Sequence, residues 1–464
     1  MIKVNEKKQR RAVIEVDEQL LNDITDLIQS KSDVLLKNII ADIYPSDIAL
    51  IINNLDDENG LDLFKILPET IAPEVLLELN EHQRDYILDS LSIPQISTLV
   101  GEMDSDDATD IISELTEDIA QDVLGLMETE DSTEVKELLT YGENTAGGIM
   151  QKEFVDVLET HNIDQAVKEI KEEAKDFENF YHVWVTDNNR RLVGIISLKD
   201  IIFALDRPST KIADIMDPEV ISVDVNTDQE EVAKVFQKYD LVTVPVVDKH
   251  KILVGRISID DIVDVIEEEF SEDVARIVGS DVEELQSKSP MQIAWMRLPW
   301  VLITLGMQFF AGLVIHFYDS TLTKVILLAS FMPIISAISG NTGLQASAMT
   351  VRALATGHIS LNRWWEPVKR SFQTSVILGF VCGMVIGIIG GMWYGKFIFG
   401  LVVGISMFVS INISALVGTS TPFISKRLGF DPAITVGPFE TAFQDVVGIT
   451  IFLTLATVAL KWLI

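Results

Sequence analysis

Residues 372–394 read FQTSVILGFVCGMVIGIIGGMWY, a stretch without a single charged side chain. A helix needs about 20 apolar residues to cross the hydrocarbon core of a bilayer, and this stretch supplies them. Four comparable runs lie around it. We predict five membrane-spanning helices, at roughly Leu298–Tyr318, Val325–Thr350, Phe372–Tyr394, Phe397–Phe423 and Ile434–Leu460.

The basic residues between these runs predict their orientation. The loop between the second and third runs holds Arg352, Arg363, Lys369 and Arg370, and the loop between the fourth and fifth holds Lys426 and Arg427. The connections on the other side hold only Lys324 and Lys396. Because cytoplasmic loops carry an excess of Lys and Arg, we expect a multi-pass protein of the cell membrane, with its N-terminus inside and its C-terminus outside.

The charge is divided unevenly along the chain. Of its 36 basic and 71 acidic residues, ten bases and five acids follow Pro290, which leaves 26 bases and 66 acids before it. A polyanionic part joined to an apolar part excludes a single soluble domain, and it repels nucleic acid. The one cysteine, Cys382, excludes a disulfide framework. Residues 1–11 lack the apolar core of a signal peptide, so we expect the acidic half to be cytoplasmic.

An internal repeat occupies residues 150–268. Residues 183–201 (VWVTDNNRRLVGIISLKDI) align without a gap with residues 244–262 (VPVVDKHKILVGRISIDDI). Each unit is predicted as helix, strand, Gly-containing turn, strand and helix. The pattern resembles a tandem pair of cystathionine-β-synthase (CBS) domains, at about 150–205 and 216–268, and the alternative is a generic α/β duplication. Residues 15–140 upstream have a wholly helical pattern with nothing catalytic in it, typical of stacked helical hairpins.

An unusually acidic helix follows the second repeat. It carries eight acids and no base until Arg276: Asp260, Asp261, Asp264, Glu267, Glu268, Glu269, Glu272 and Asp273. Like charges at helical spacing destabilise a helix. The plain interpretation is a solvated helix face, whereas bound hard divalent cations would neutralise the acids. We expect this helix to continue towards the first span.

Two smaller acidic groups could face the same region. Asp106 and Asp110 lie one turn apart on a helix of the N-terminal part, and Asp228 and Glu230 open a helix of the second repeat, which Asp240 follows. Each is singly explained as a helix cap or a surface charge. They point to cation binding only as a set.

Two predicted spans differ from ordinary lipid-facing helices. The second contains Pro333 and the polar, small-residue stretch GNTGLQ (340–345), which can pack closely or break. The fifth contains Glu440 and Asp445. Ionisable residues inside a span are costly and mark ion pathways by default. Glu440 could instead lie near the interface and extend into water, whereas Asp445 is predicted deeper, on the Thr441 face.

These motifs, in this order, resemble those of the MgtE-type magnesium channels over essentially the whole chain. The resemblance lies in YGENTAGGIM (141–150), in GNTGLQ (340–345) followed by RALA (352–355), and in DPAITVGPFETAFQDVVG (431–448). Gly437, Ala442 and Glu440 depart from the pattern that is common in the family.

The resemblance implies a homodimer of multi-domain protomers. Each would have an acidic α-helical N domain (1–140), an α/β CBS-domain pair (141–268), a connecting plug helix (269–292) and an all-α domain of five spans (293–464). Asp445 would bind hydrated Mg²⁺ in a pore on the dimer axis. The implied cytosolic Mg²⁺ sensors are Asp106, Asp110, Asp228, Glu230, Asp240, Asp261, Asp264, Glu269, Glu272 and Asp273.

The function predicted in this way is a channel that imports Mg²⁺ and is closed by cytosolic Mg²⁺. Two alternatives remain open. One is a nucleotide-gated transporter of another divalent cation or an osmolyte, with the CBS pair binding ATP. The other is a membrane enzyme that uses Glu440 and Asp445 as an acid pair, although no nucleophile accompanies them and we do not expect an enzyme.

Overall fold

The computed structural model describes residues 16–174, 182–280 and 289–463. They divide into two compact units on either side of the junction between Ile266 and Glu267. The first unit contains the helical N domain and the two α/β repeats. The second contains the end of the acidic helix and all of the long apolar helices, as the sequence predicts.

The N domain is built from short helices around one apolar core. Acid or amide side chains start several of them: Asp17, Asp56 and Asn80 accept hydrogen bonds from backbone N–H groups in the first turn. The buried residues recur at helical spacing, as in Ile48, Ile51 and Ile52. The helices are α1 (Glu18–Gln29), α2 (Asp33–Ile40), α3 (Pro45–Asn53), α4 (Asp57–Phe64), α5 (Ala72–Leu77), α6 (Glu81–Ser90), α7 (Ile93–Val100), α8 (Ser105–Glu114), α9 (Glu117–Leu126) and α10 (Thr129–Leu138).

The repeat appears as two three-stranded sheets of identical topology. The first contains β1 (Asp156–Leu158), β2 (His182–Thr186) and β3 (Leu192–Ser197), with helices α11 (Ile163–Glu173) and α12 (Leu198–Ala204); the second contains β4 (Val223–Asp224), β5 (Thr243–Val247) and β6 (Leu253–Ser258), with α13 (Gln229–Tyr239) and α14 (Ile259–Val278). In both sheets the first pair of strands is parallel and the second antiparallel, and the register shifts at the same repeat position.

The glycine shared by the two repeats is needed for close packing. A Cβ at Gly194 would lie 2.6 Å from Met216 Sδ, and one at Gly255 would lie 2.7 Å from Met150 Sδ. Each methionine precedes one repeat and packs on the other. The sequence symmetry between Met150 and Met216 is therefore a packing requirement that holds the two repeats together.

The acidic helix α14 differs from its predicted extent. It ends at Val278, where Gly279 takes a left-handed φ of 76°, so it does not run on into the first span as a single helix. Glycine adopts this conformation without the Cβ penalty and commonly ends helices. The separate connecting helix at 269–292 stays a prediction, because residues 281–288 lie outside the described residues.

The second unit is helical throughout its described residues. Its elements are α15 (Pro290–Phe317), α16 (Asp319–Lys324), α17 (Leu328–Ala355), α18 (Trp365–Tyr394), α19 (Phe397–Arg427), α20 (Pro432–Thr435), α21 (Pro438–Val458) and α22 (Leu460–Leu463). Helix α19 is the most buried of the long helices and packs against α17, α18 and α21.

Within the described residues, four helices are long and apolar enough to cross a membrane: Pro290–Phe317, Trp365–Tyr394, Phe397–Arg427 and Glu440–Val458. The predicted second span, α17, has 28 residues but is less apolar, because Ser, Thr, Asn, Gln and Gly interrupt it. It packs between α19 and α21. A fifth crossing at α17 therefore stays a prediction.

Candidate ion pathway and acidic cluster

Asp445 lies on α21 and is held by two other helices. Gln308 on α15 donates a hydrogen bond from Nε2 to Oδ2 at 2.5 Å, and Ser336 Oγ on α17 donates to Oδ1. Asp445 is half-buried and Gln308 is exposed. The carboxylate therefore lies at the edge of the helix bundle and is oriented by neutral donors.

The stretch of small residues on α17 allows α21 to approach. A Cβ at Gly340 would lie 3.5 Å from Thr441 Cγ2 and 3.7 Å from Asp445 Oδ1, and one at Gly343 would lie 3.3 Å from the Gln444 side chain. Of the two possibilities that the sequence leaves open, the helix packs closely; α17 runs unbroken from Leu328 to Ala355. Thr441 and Asp445 share one face of α21, as their spacing predicts.

Glu440 does not extend into water. Its residue is 2% exposed, and Ser347 Oγ lies within hydrogen-bond distance of both Glu440 Oε2 and the Gly418 carbonyl oxygen. One turn on, the buried Gln444 accepts a hydrogen bond from Ser414 Oγ at 2.7 Å. The extension into water considered for Glu440 is wrong, because this face of α21 is enclosed by α17 and α19.

In the first unit, Asp106 and Asp261 come together with two acids that the sequence analysis did not select. Asp106 is 6% exposed, and the charges of Asp261, Asp107 and Glu153 all act on it. We call Asp106, Asp107, Glu153 and Asp261 the acidic cluster. It joins the N domain to the second repeat, because Asp106 and Asp107 open α8 and Asp261 opens α14.

Hydrogen bonds hold the acidic cluster together at its edges. The Ser105 backbone N–H donates to Glu153 Oε1 at 3.0 Å and Ser105 Oγ donates to Oε2 at 2.8 Å, so Glu153 caps α8 from outside. Ser258 donates to Asp261 Oδ2 from its backbone N–H at 3.1 Å and from Oγ at 2.6 Å. These donors fix the carboxylates in place without neutralising their charge.

Burial and mutual repulsion raise the pKa values in the acidic cluster. Burial, followed by the charges of Asp261 and Asp107, raises the pKa of Asp106 well above its usual range. Burial and the charge of Asp261 raise the pKa of Asp107 to about 7. Burial raises the pKa of Asp261 to about 6, against the hydrogen bond from Ser258. Removing carboxylates from water beside like charges disfavours their charged form.

Asp107 and Glu153 were missed for identifiable reasons. Asp106 and Asp110 are one turn apart in the sequence, which indicates a shared helix face, yet Asp110 is exposed and its charge acts on Asp107. Glu153 lies in an irregular segment after the helical part, where no periodicity indicates its direction. The run of four polar residues at 104–107 was the available signal.

The other predicted sensor residues have local roles. Asp228 caps α13 and accepts a hydrogen bond from the Glu230 backbone N–H at 3.0 Å, Glu230 pairs with Lys234 at 2.9 Å, and Asp240 ends α13 in a left-handed conformation. Asp264, Glu269, Glu272 and Asp273 follow one another along α14. Within the described residues, no group of three His, Cys, Asp or Glu side chains has the arrangement of a metal site.

The C-terminal end of α14 contacts the membrane helices. Arg276 forms ion pairs with both Glu272 and Asp431, the cap of α20. Ile277 packs with a small apolar group around α17 and α20. Gly437 has a φ of 82°, and a Cβ there would clash with the Ile277 carbonyl oxygen. The glycine at this position, a departure noted in the sequence, thus permits the close approach of α14.

Comparison with known proteins assigns each region to a family model. A divalent cation transporter model, MgtE, matches residues 332–455, the MgtE intracellular N domain matches 43–144, and the CBS domain matches 146–207 and 212–268. These three matches cover the N domain, both repeats and most of the long apolar helices.

Individual relatives match at about one residue in three. The magnesium transporter MgtE of Thermus thermophilus is 31% identical over 451 residues, 96% of this chain and 100% of that protein. The magnesium transporter MgtE of Enterococcus faecalis is 35% identical over 72% of this chain and 74% of that protein. The solved cytosolic domain of the Mg²⁺ channel MgtE in complex with ATP is 31% identical, with a TM-score of 0.50, and covers 53% of this chain and 99% of that chain.

The acidic cluster predicts an unusual pH dependence of stability in the absence of divalent cations. An acid whose pKa is raised by folding contributes most stability below its ordinary pKa near 4, and this stability is lost as the pH rises through about 6 and 7. With a chelator present, the melting temperature of residues 1–266 should therefore fall between about pH 5 and pH 8, on the order of 5 °C. Asp107→Asn should remove much of this fall, as measured by circular dichroism. A melting temperature that rises over this interval, equally in both proteins, would contradict the raised pKa values.

Proposed function

The chain belongs to the MgtE family of divalent cation transporters, and we propose that it is a pore for hydrated Mg²⁺ centred on Asp445 and closed by cytosolic Mg²⁺. It is a magnesium transporter with a regulatory CBS pair in a multi-pass membrane protein. The single observation that carries the proposal is the pair of acid environments described above. One carboxylate is oriented at the edge of the membrane helices, and a cluster of others is buried in the acidic half.

The environment of Asp445 suits an ion that keeps its water. Mg²⁺ dehydrates reluctantly and prefers an octahedral shell of oxygen ligands. Asp445 supplies charge, and the amide of Gln308 and the hydroxyl of Ser336 supply polar contacts beside it. In a homodimer with the pore on its axis, two Asp445 carboxylates would balance the charge of one Mg²⁺. The membrane-enzyme alternative loses support, because Glu440 and Asp445 contact different side chains on different sides of α21.

The proposal of a homodimer has a second support, on α14. Four exposed apolar residues recur at helical spacing along this otherwise acidic helix: Val263, Ile266, Phe270 and Val274. An apolar stripe on a charged helix is typical of a packing face. We assign this face to the α14 helix of the second protomer, which would bring the acids of both helices near one another.

The acidic cluster is proposed as a site at which Mg²⁺ bridges the N domain and the second repeat. Four carboxylates with raised pKa values in one place store electrostatic repulsion, and a divalent cation would convert this repulsion into attraction. The other predicted sensor residues would contribute further Mg²⁺ contacts: Asp110, Asp228, Glu230, Asp240, Asp264, Glu269, Glu272 and Asp273. If Mg²⁺ binds only when the N domain and the second repeat are in contact, Mg²⁺ would stabilise that arrangement by mass action.

Helix α14 would carry the signal to the membrane helices. Asp261 of the acidic cluster lies in its first turn, and Arg276 and Ile277 in its last turn contact Asp431 and Gly437. Because one helix contains both ends, we infer that a change at the first turn would reach the contact at the last. With the N-terminus inside, low cytosolic Mg²⁺ would release this contact and open the pore. ATP binding at the CBS pair would be a second input, since the solved cytosolic domain of the relative is in complex with ATP.

Asp445→Asn tests the pore. The substitution keeps the volume of the side chain but removes an attraction to Mg²⁺ of several kcal/mol per protomer at an effective dielectric of roughly 20. Mg²⁺ uptake should fall at least about tenfold in cells without other Mg²⁺ importers, with dimer yield unchanged. Asp319→Asn, an acid of the same unit at the start of α16, is the matched control and should retain uptake. Glu440→Gln should cost far less than Asp445→Asn. Normal uptake by Asp445→Asn would overturn the assignment.

Asp107→Asn with Asp261→Asn tests the sensor. Removing two mutually repelling charges should raise the melting temperature of the Mg²⁺-free protein and, at the same time, shrink the increase that millimolar Mg²⁺ produces. Asp118→Asn with Asp122→Asn removes two exposed acids of α9 and should change neither quantity. In the full-length transporter, cytosolic Mg²⁺ should inhibit uptake less in the first variant than in the second. Equal Mg²⁺ responses of the two variants would rule out the acidic cluster as a sensor.

Arg276→Gln tests the link between α14 and the membrane helices. It removes the ion pairs to Glu272 and Asp431 together, so closure should need more Mg²⁺, and uptake at high cytosolic Mg²⁺ should increase. Arg427→Gln, a base at the end of α19, should leave the Mg²⁺ response unchanged. The measurement is Mg²⁺ flux into vesicles with a defined internal Mg²⁺ concentration. If the Mg²⁺ flux of Arg276→Gln equals that of the wild type at every internal Mg²⁺ concentration, this contact of α14 has no part in gating.

A further inference from the structure

The membrane unit contains a cavity of about 920 Å³ between two helices that are adjacent in sequence. Its walls are α17 from Thr342 to Ala353 and α18 from Glu366 to Leu378, its end is the connection at 357–363, and its floor is α19. Both walls pack on α19, which holds them apart. We call it the α17–α18 cavity; neither the pore residues nor the acidic cluster belongs to it.

The two ends of the α17–α18 cavity differ in character. His358, Arg363 and Arg370 surround the end near the connecting loop, together with Glu366. Towards the middle of the helices the lining carries no charge, and the apolar side chains of Ala346, Met349, Leu378 and Ala415 alternate there with the polar side chains of Thr342, Gln345, Thr374, Ser375 and Thr419. A molecule that fills the cavity would therefore have an anionic end and an apolar body.

The basic end is available to an anion. Arg363 lies 3.5 Å from Glu366, but the two side chains are 75% and 69% exposed. An exposed pair of this kind contributes little stability and exchanges readily. The Arg370 guanidinium has no ion-pair partner within the described residues, and the planar, multiply donating guanidinium matches a phosphate group.

The length of the α17–α18 cavity matches one leaflet of a bilayer. From Thr342 to Ala353 a helix rises about 16 Å, about half of the roughly 30 Å thickness of the hydrocarbon core. The basic end lies in the loop that carries the excess of Lys and Arg, and Trp364 and Trp365 flank it, exposed, as interfacial anchors are. The charged end would thus lie at headgroup depth and the apolar part at acyl-chain depth.

We propose that the α17–α18 cavity binds an anionic glycerophospholipid of the cytoplasmic leaflet. Arg363 and Arg370 hold its phosphate and anionic headgroup, and one acyl chain runs along Met349 and Leu378. Basic pockets between membrane helices on the cytoplasmic side are suited to anionic headgroups. Free phosphate satisfies the arginines but leaves the apolar part unfilled, and the cationic headgroup of a zwitterionic lipid is repelled by the arginines.

The test is lipid binding to the full-length protein in detergent, measured by native mass spectrometry during titration with phosphatidylglycerol or phosphatidylcholine. The wild-type protein should retain phosphatidylglycerol in preference to phosphatidylcholine. Because each arginine contributes about a fivefold factor, Arg363→Gln with Arg370→Gln should weaken phosphatidylglycerol binding about thirtyfold. Arg352→Gln with Lys369→Gln removes two bases near the same connection, one on α17 and one on α18, that do not line the cavity, and it should weaken binding less than about fivefold.

Further arms separate the sources of the phosphate and the role of the apolar part. Ala346→Leu keeps both arginines and narrows the cavity, so it should lower phosphatidylglycerol binding in a protein that still transports Mg²⁺. Displacement of the lipid by millimolar inorganic phosphate would show a site for small phosphates and overturn the proposal. Equal binding of the two lipids, or equal losses in the two double variants, would also overturn it. If the partner protomer covers the cavity, the wild-type protein should bind phosphatidylglycerol no more tightly than phosphatidylcholine, and that result would also overturn the proposal.

Discussion

The cost of burying negatively charged carboxylates is the physical constraint on which the rest of this structure depends. Asp106 is 6% exposed and lies beside Asp107, Glu153 and Asp261. Neighbouring N–H and O–H groups orient two members of the acidic cluster, and the charge of Arg256 offsets only part of the effect of burial on Asp261. Such a cluster can be relieved in two ways, by protons or by a cation. Under the proposed function, the compactness of the acidic half would therefore be coupled to its ionic surroundings, which is the property that a Mg²⁺ sensor needs.

The same constraint is met differently in the membrane helices. Asp445 lies half-buried at the edge of the bundle, and Gln308 and Ser336 orient it. Glu440 is enclosed and contacts Ser347 beside Gly418. The first arrangement suits a passing hydrated ion, whereas the second fixes α21 against α17 and α19. The two acids are five residues apart and therefore lie on different sides of α21, so one is at the edge of the bundle and the other is enclosed.

Much of the fold follows from patterns that are local in sequence. Alignment of residues 183–201 with 244–262 predicts two sheets of the same topology, and both are present down to the register shift. The apolar runs predict the long helices, apart from a few residues at their ends. Helix α17 is harder to identify as a membrane span from sequence. A helix packed between two others can carry polar residues, and these residues lower its mean hydropathy.

Contacts between distant segments could not be predicted in the same way. Glu153 joins the acidic cluster through Ser105, from an irregular segment 48 residues away, and Arg276 reaches Asp431 across 155 residues. Asp228 and Asp240 fitted the pattern of a cation site, yet their visible roles are those of a cap and a helix end. Helical spacing shows which acids share a face, but only the tertiary fold determines which faces meet.

The most direct test of a buried acidic cluster bridged by Mg²⁺ is proton release on binding. Mg²⁺ should be titrated calorimetrically into residues 1–266 in buffers of different ionisation enthalpy. With pKa values of about 7 for Asp107 and about 6 for Asp261, binding near pH 6.5 should release protons from both acids, and their share of the release should be lost above about pH 8. Asp107→Asn should reduce the release near pH 6.5. A binding heat that is independent of buffer at both pH values would contradict Mg²⁺ binding at this cluster.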